Sequence, residues 1–174
     1  AVLKGRRELG WDFDWTFQTH ASAAFDKETL DLAREAGCYL FSYGVESASQ
    51  TVLDSMQKKT KVPQILHGIR TAEEAKIGFG GNFIFGDVAE TQATIAESMA
   101  FFKEHFRDHH IYLGVIQPYP GGKLFPDCLE QKIIKDKRSF YEHIDGRVFN
   151  MTKMPGVLWA PWAYATGYLG SLYL

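Results

Sequence analysis

Apolar and polar positions alternate with two different periods along this chain, and the switches between them mark out the elements. Asp14-Trp15-Thr16-Phe17-Gln18-Thr19-His20 alternates aromatic and polar residues, the period of a strand. Before it, Val2, Leu3 and Leu9 stand among charges and Gly10 follows, which reads as the end of a helix. Asp26 is placed as an N-cap, with Phe25 and Leu30 as a hydrophobic staple, for a helix over 27–36 that Gly37 stops. Tyr39–Val45 is a second apolar strand. Ser47 or Ser49 is expected to cap a short helix carrying Val52, Leu53 and Met56, and Pro63 opens another whose buried stripe is Ile65, Ile69 and Ala72. Ile77–Phe85 reads as a third strand. A helix over 91–106 presents Ile95, Met99, Phe102 and Phe106 on one face, and Ile111–Ile116 is a fourth strand, closed by Gln117-Pro118-Tyr119-Pro120-Gly121-Gly122. Strands and helices taking turns predict an α/β fold with a parallel sheet and right-handed crossovers. Four such strands are too few to close an eight-stranded barrel, so a part of a (β/α) barrel, TIM-barrel-like, is expected.

The pattern sets residues 1–122 apart as the barrel portion and 123–174 as a looser C-terminal extension, with a helix over 124–132 and a connector over 133–136. From Val157 to Leu174 there is no charge, but Pro161, Gly167 and Gly170 interrupt the stretch, so a buried or artificially truncated end is expected and not a membrane span.

Composition adds limits. The chain has 174 residues, 45% hydrophobic and 23% charged, with 19 basic and 21 acidic residues. A net charge of -2 carries no electrostatic footprint for nucleic acid, and the run Lys58-Lys59-Thr60-Lys61 reads as the solvated end of a helix. The 2 cysteines, Cys38 and Cys128, are far apart and belong to no Cys-x-x-Cys pair. Cys38, at the start of a strand, reads as a small core residue, and the scarcity of cysteine together with the lack of a secretory leader points to a reducing, cytoplasmic setting. The chain starts without methionine, from which a piece of a longer protein is expected.

The chemistry concentrates at two strand-to-helix junctions of the same build, Tyr43-Gly44-Val45-Glu46-Ser47-Ala48-Ser49-Gln50 and Asn82-Phe83-Ile84-Phe85-Gly86-Asp87-Val88-Ala89-Glu90-Thr91. In a parallel β/α sheet the loops after the strands gather at one end, so both junctions should face one crevice. Glu46 is then either a ligand to hydroxyl groups or a cap on the following helix. Asn82, Ile84 and Gly86 share one strand face, where Ile84 is also a plain core candidate. Glu90 reads as a structural residue at a helix start. His20 ends the first strand and points to the same mouth, as a hydrogen-bonded residue before an acid or base. His109-His110 falls at the opposite end, and no metal site is expected.

Glu46 with Ser-x-Ser-Gln, then Asn-Phe-Ile-Phe-Gly-x-x-x-Glu-Thr, then Pro-Tyr-Pro-Gly, in register over roughly residues 11–153, resembles the radical S-adenosylmethionine superfamily, and most closely the members that carry a cobalamin-binding domain upstream. The resemblance implies a six-stranded partial barrel, with this chain matching strands three to six. It implies an enzyme whose 4Fe–4S cluster cleaves S-adenosylmethionine for radical chemistry or for methyl transfer through cobalamin. The cysteine triad that holds the cluster in the family is not in this sequence, so cluster and cobalamin are expected from an upstream half of the barrel and an upstream domain, with a small molecule as substrate. This chain would supply the nucleoside side of the cofactor site: Glu46 and Ser47 towards the ribose, Ile84 on the adenine, Asn82 and Gly86 beside it, Gln117 and Pro118 at the adenine edge, and His20 at the mouth. The family's glycine-rich pattern is matched in part, since Asn82 and Ala89 stand where it has glycine.

Two other readings stay open on the residues. One is an unrelated (β/α) barrel hydrolase or lyase using His20, Glu46 and Glu90, against which no lysine lies at the C-terminal end of an expected strand. The other is a non-catalytic fragment that binds a nucleoside or a partner. Because two isolated cysteines cannot supply three thiolates, anaerobic reconstitution of this chain with iron and sulfide should leave no stoichiometric cluster absorbance. A stoichiometric cluster would refute the assignment of its ligands to another segment.

Overall fold

A computed structural model describes residues 1–143 and 148–163. The elements run α1 (Val2–Leu9), β1 (Trp15–His20), α2 (Lys27–Glu35), β2 (Cys38–Glu46), α3 (Gln50–Ser55), α4 (Val62–Ala75), β3 (Gly78–Phe85), α5 (Gln92–His105), β4 (His110–Val115), α6 (Leu124–Glu130) and α7 (Lys137–Glu142). Residues 156–163 are also helical. The 4 strands form one sheet in the order β1-β2-β3-β4, every neighbouring pair parallel. This is the α/β part-barrel arrangement that the alternation of periods predicts, with β1 at one edge and β4 at the other.

The local signals act largely as their chemistry suggests. Asp26 Oδ1 accepts from the Thr29 N–H at 2.7 Å, capping α2. Gly10 ends α1 at φ 68, and Gly37 follows the end of α2 at φ 92, both in the left-handed region open to glycine. The third helix differs from expectation. Ser49 is its N-cap residue but makes no side-chain cap bond, because the serine hydroxyl at work is that of Ser47, which accepts from the Ser49 N–H at 3.1 Å. α4 begins one residue before Pro63. The short α7, capped by Asp136 through Arg138 and Ser139, follows directly on the expected connector over 133–136, where the sequence reading placed no element.

Past an irregularity at Cys38 and Tyr39, where the β1–β2 register shifts, the odd-numbered strand residues face the helices. Phe41, Tyr43, Phe79 and Phe83 are almost fully buried there, and their rings meet edge to face: Phe41 on Phe79 at 5.2 Å, Tyr43 on Phe79 at 5.3 Å, Phe83 on Phe106 at 5.6 Å. Each such side chain contributes about 1.5–3 kcal/mol by leaving water, and edge-to-face pairs add about 0.5–1.5 kcal/mol. The Tyr43 hydroxyl donates to the Ala23 carbonyl at 2.6 Å, and burial pushes its pKa up to about 12. Cys38 is buried in the same core, as its strand position suggested, and burial raises its thiol pKa.

Even-numbered residues form the other face, which stays open. A cleft of about 690 Å³ runs over it, lined among others by Gln18, Leu40, Ser42, Gly80, Asn82 and Tyr112. Gln18, Ser42, Gly80 and Asn82 put small and polar residues on this face beside the larger Leu40 and Tyr112, a mixture that suits the inside of a barrel. In the extension, Phe125, Cys128, Ile134, Phe140 and Met151 form a separate small cluster. Met154, Trp159 and Ala163 then rejoin the main core. Residues 164–174, most of the uncharged tail, lie outside the described residues. Among the described residues no helix is long and apolar enough to cross a membrane.

This packing has two measurable consequences. Gly68 lets α4 close on the Tyr43 ring, since a β-carbon there would overlap it. Gly68→Ala should therefore lower stability by about 1–3 kcal/mol in denaturant titration, in spite of the better helix propensity of alanine. Glu90, buried at the start of α5, has its pKa raised by burial, against which the bonds from the Thr94 hydroxyl and the Gly86 N–H act. A raised folded-state pKa favours the protonated form, so this contribution to stability is full below the ordinary value of 4.5 and is lost as pH rises through the folded value. Glu90→Gln should flatten that decline when melting temperature is followed from pH 4 to pH 8, and a variant with the slope of the parent would refute it.

Candidate functional site

Parallel strands place the ends of β2, β3 and β4 at one edge of the sheet, and with them the two acidic junctions. The β2–β3 ladder breaks just before that edge. Tyr43 stands opposite Gly81 and Glu46 opposite Phe83, so Gly44 and Val45 together face only Asn82. The extra residue is a bulge, and a bulge re-aims the side chains beyond it. Glu46 leaves the strand at φ 63, in a region that a β-carbon disfavours.

Glu46 is 7% exposed, and each of its carboxylate oxygens has one partner. Lys58 Nζ lies 2.6 Å from Oε1, and Asn82 Nδ2 donates to Oε2 at 3.2 Å. Asn82 Oδ1 accepts the Val45 N–H at 3.1 Å. Gly44 leaves the room for this arrangement, because a β-carbon there would stand 3.0 Å from Glu46 Oε1 and 3.2 Å from Lys58 Nζ. Glu46 is therefore not a cap on α3. It is a paired carboxylate at the mouth.

The other expected residues fall around it with different degrees of commitment. The Ser47 hydroxyl is spent within the loop, on the Ser49 N–H and on Ser98 Oγ of α5 at 3.2 Å, while Ser98 also accepts the Ala48 N–H. Ile84 is half-buried on the inner face, opposite Gly114 of β4. Gly86 has φ 105, and its close neighbour is an indole: a β-carbon would stand 2.9 Å from Trp159 Cη2. Gln117 is half-buried just after β4, and its carbonyl accepts the Tyr119 N–H at 2.9 Å. His20 is exposed at the end of β1 and is tied to Ser22, whose N–H donates to Nδ1 at 3.2 Å.

Lys58 and Trp159 are the residues that sequence reasoning missed. Lys58 sits in a basic run that looks like a solvated helix end. Gln57, at φ 56, reverses the chain after α3, and the Lys58 N–H donates back to the Leu53 carbonyl at 2.9 Å. That turn sends the ammonium to the mouth, so a lysine does reach a strand end although none is there in sequence. A left-handed position filled by glutamine gives little signal. Trp159 comes from a segment whose return to the sheet no local pattern announces.

His20, Glu46 and Glu90 do not work as one set, since Ser22, Lys58 with Asn82, and Thr94 with Gly86 hold them separately. Among the described residues no group of three or more His, Cys, Asp or Glu side chains is placed to hold a metal ion.

No protein-family model matches the chain. Among curated proteins it is 25% identical over 128 residues to an uncharacterized methyltransferase of Pyrococcus horikoshii, covering 74% of this chain and 28% of that protein. It is 32% identical over 111 residues to the anaerobic magnesium-protoporphyrin IX monomethyl ester cyclase of Cereibacter sphaeroides, covering 64% and 18%. The chain thus spans less than a third of the length of these relatives. Among solved structures it is similar to the radical S-adenosylmethionine methyltransferase TsrM of Kitasatospora setae, at a TM-score of 0.60 and 19% identity over 75% of this chain and 26% of that one. The cobalamin-dependent S-adenosylmethionine radical enzyme OxsB gives 0.53 and 18% over 81% and 20%. In fold the chain is similar to these radical S-adenosylmethionine enzymes, and in sequence to these methyltransferase and cyclase relatives.

Proposed function

We propose that this chain is the nucleoside-holding side of a radical S-adenosylmethionine enzyme, one that transfers a methyl group to a small molecule with the help of cobalamin. The observation that carries the reading is the state of Glu46. A carboxylate has about four acceptor sites, and Lys58 and Asn82 occupy one on each oxygen. One site on each oxygen is left, which suits the two neighbouring hydroxyls of a ribose. Ile84 and the backbone near Gly86 and Pro118 offer an apolar and hydrogen-bonding surface for a base on the same edge, with Gln117 and His20 at its rim. Ser47 holds the loop that carries Glu46.

The nucleoside fits these residues, and S-adenosylmethionine bound there would supply the methyl group or the radical of the reaction. An iron–sulfur cluster does not fit. Cys38 and Cys128 are buried thiols in two different hydrophobic clusters, and burial raises both pKa values, away from the thiolate that iron needs. Cluster and cobalamin ligands are therefore assigned to segments outside this chain, the former to an upstream half of the same barrel that would cover the open sheet face. Free thiols fit a reducing, cytoplasmic setting.

The test is Glu46→Ala in the natural polypeptide that carries this chain. It should weaken S-adenosylmethionine binding by about 1.5–3 kcal/mol, the scale of a charge-assisted hydrogen bond, with iron content unchanged. An unchanged dissociation constant sinks the ribose assignment.

A further inference from the structure

We infer that Asn82 is a positioning residue that aims the Glu46 carboxylate at a vicinal diol by locking the bulge in β2. The inference rests on the nucleoside reading above and deepens it.

Three observations converge on it. The ladder break leaves the Val45 N–H without its usual strand partner, and Asn82 Oδ1 stands in for the missing carbonyl at 3.1 Å. The other end of the same amide donates to Glu46 Oε2 at 3.2 Å. These two bonds also fix which way the amide lies, since a flip would set an oxygen against a carboxylate and an NH2 group against an N–H. Gly44, which faces Asn82 together with Val45, has no side chain to block the carboxylate from folding back over it. One side chain therefore ties the backbone distortion to the direction of the charge.

Asn82 and Lys58 divide the work. Lys58, 26% exposed, supplies charge through a flexible stem. Asn82 comes from a strand and supplies direction. Together they leave Glu46 one acceptor site on each oxygen on the side away from both, which is what a pair of adjacent hydroxyls requires. Without the amide, Oε2 would have two open sites and no fixed orientation, and a single hydroxyl would be accepted as well as two.

An acid at position 82 turns this into a pH test. In Asn82→Asp the carboxylate keeps an acceptor for Val45 but turns a second anion on Glu46. Lys58 is the cation that meets Glu46, His20 of β1 stands opposite Gly44, and Asp87 follows Gly86 after β3. Two carboxylates this close share a proton more readily as pH falls, and the shared proton restores the bridge.

The probe is adenosine, with 2′-deoxyadenosine for comparison, bound to the natural polypeptide and its N82D and N82G variants at pH 8 and pH 5.5. N82D should bind adenosine roughly tenfold to a hundredfold more weakly than the parent at pH 8, and recover most of that loss, as a ratio to the parent, at pH 5.5. N82G should be weakened at both pH values by a similar factor and should lose preference for adenosine over the deoxynucleoside. A ratio for N82D that does not change with pH overturns the positioning role, and so does N82G binding adenosine as tightly as the parent, whether or not N82D folds. A parent protein that does not prefer adenosine over 2′-deoxyadenosine would instead refute the nucleoside reading itself.

Discussion

The aromatic layer beneath the helices holds the sheet in register, and the site depends on that register. Phe41, Tyr43, Phe79, Phe83 and Phe106 touch one another and bury the odd-numbered side of β2 and β3. A slip of one residue would expose several of these rings at about 1.5–3 kcal/mol each, more than any polar contact at the mouth can repay. With the odd face held, the even residues Gly44, Asn82 and Ile84 have only the open face to occupy, while the bulge takes Glu46, opposite Phe83, out of that alternation. The bulge at Gly44 and Val45 is tolerated because it comes after the best-packed part of the ladder, where Phe41 and Tyr43 are still paired with Phe79 and Gly81.

The bulge has a cost. A residue with a β-carbon in the left-handed region loses about 1–2 kcal/mol, and a buried carboxylate, on a side chain that is 9% exposed, loses several more if it stands alone. Against this, Glu46 gains an ammonium and an amide donor, each charge-assisted bond contributing about 1.5–3 kcal/mol. The contacts outweigh the dihedral strain and offset much of the desolvation, which leaves a charged, ordered group at low net expense. Strain held in place by its surroundings is common where a side chain must point in a particular direction.

The strands and most helices were legible because each rests on a short-range signal: period two with aromatics in Trp15–His20, a capping Asp26, a stripe at Ile65, Ile69 and Ala72. The placement of Glu46 and Asn82 on one end of a parallel sheet followed from topology alone. What could not be read were the partners. Lys58 reaches Glu46 through a left-handed Gln57, a residue type that rarely marks such a turn. Ser47 and Ser49 both looked like caps, and the choice between them was made by Ser98, which is distant in sequence and near only once α5 has packed. Asn82 departs from the glycine of the resembling family, and as a single substitution it could equally be a ligand or a support. The bulge opposite it, visible only in the paired strands, is what distinguishes the two.

The C-terminal segment has its own part in the mouth. The small cluster around Phe140 packs apart from the main core, yet the chain comes back afterwards with Trp159 set against Gly86 and Trp162 beside Phe85 at 6.5 Å. Gly86 sits at the end of β3 with a dihedral that glycine alone adopts readily, so its α-carbon can be approached closely, and in this structure an indole makes that approach. A bulky ring wedged there stiffens the turn between β3 and α5, and the same turn carries the buried Glu90 whose carboxylate accepts from the Gly86 N–H at 3.4 Å. The backbone beside the proposed nucleoside surface is thus held from two sides, by apolar packing from the C-terminal helix and by a buried carboxyl from the start of α5. A rigid turn at this point limits how far a base could move along Ile84, which makes the C-terminal segment part of what shapes the site and not an appendage to it.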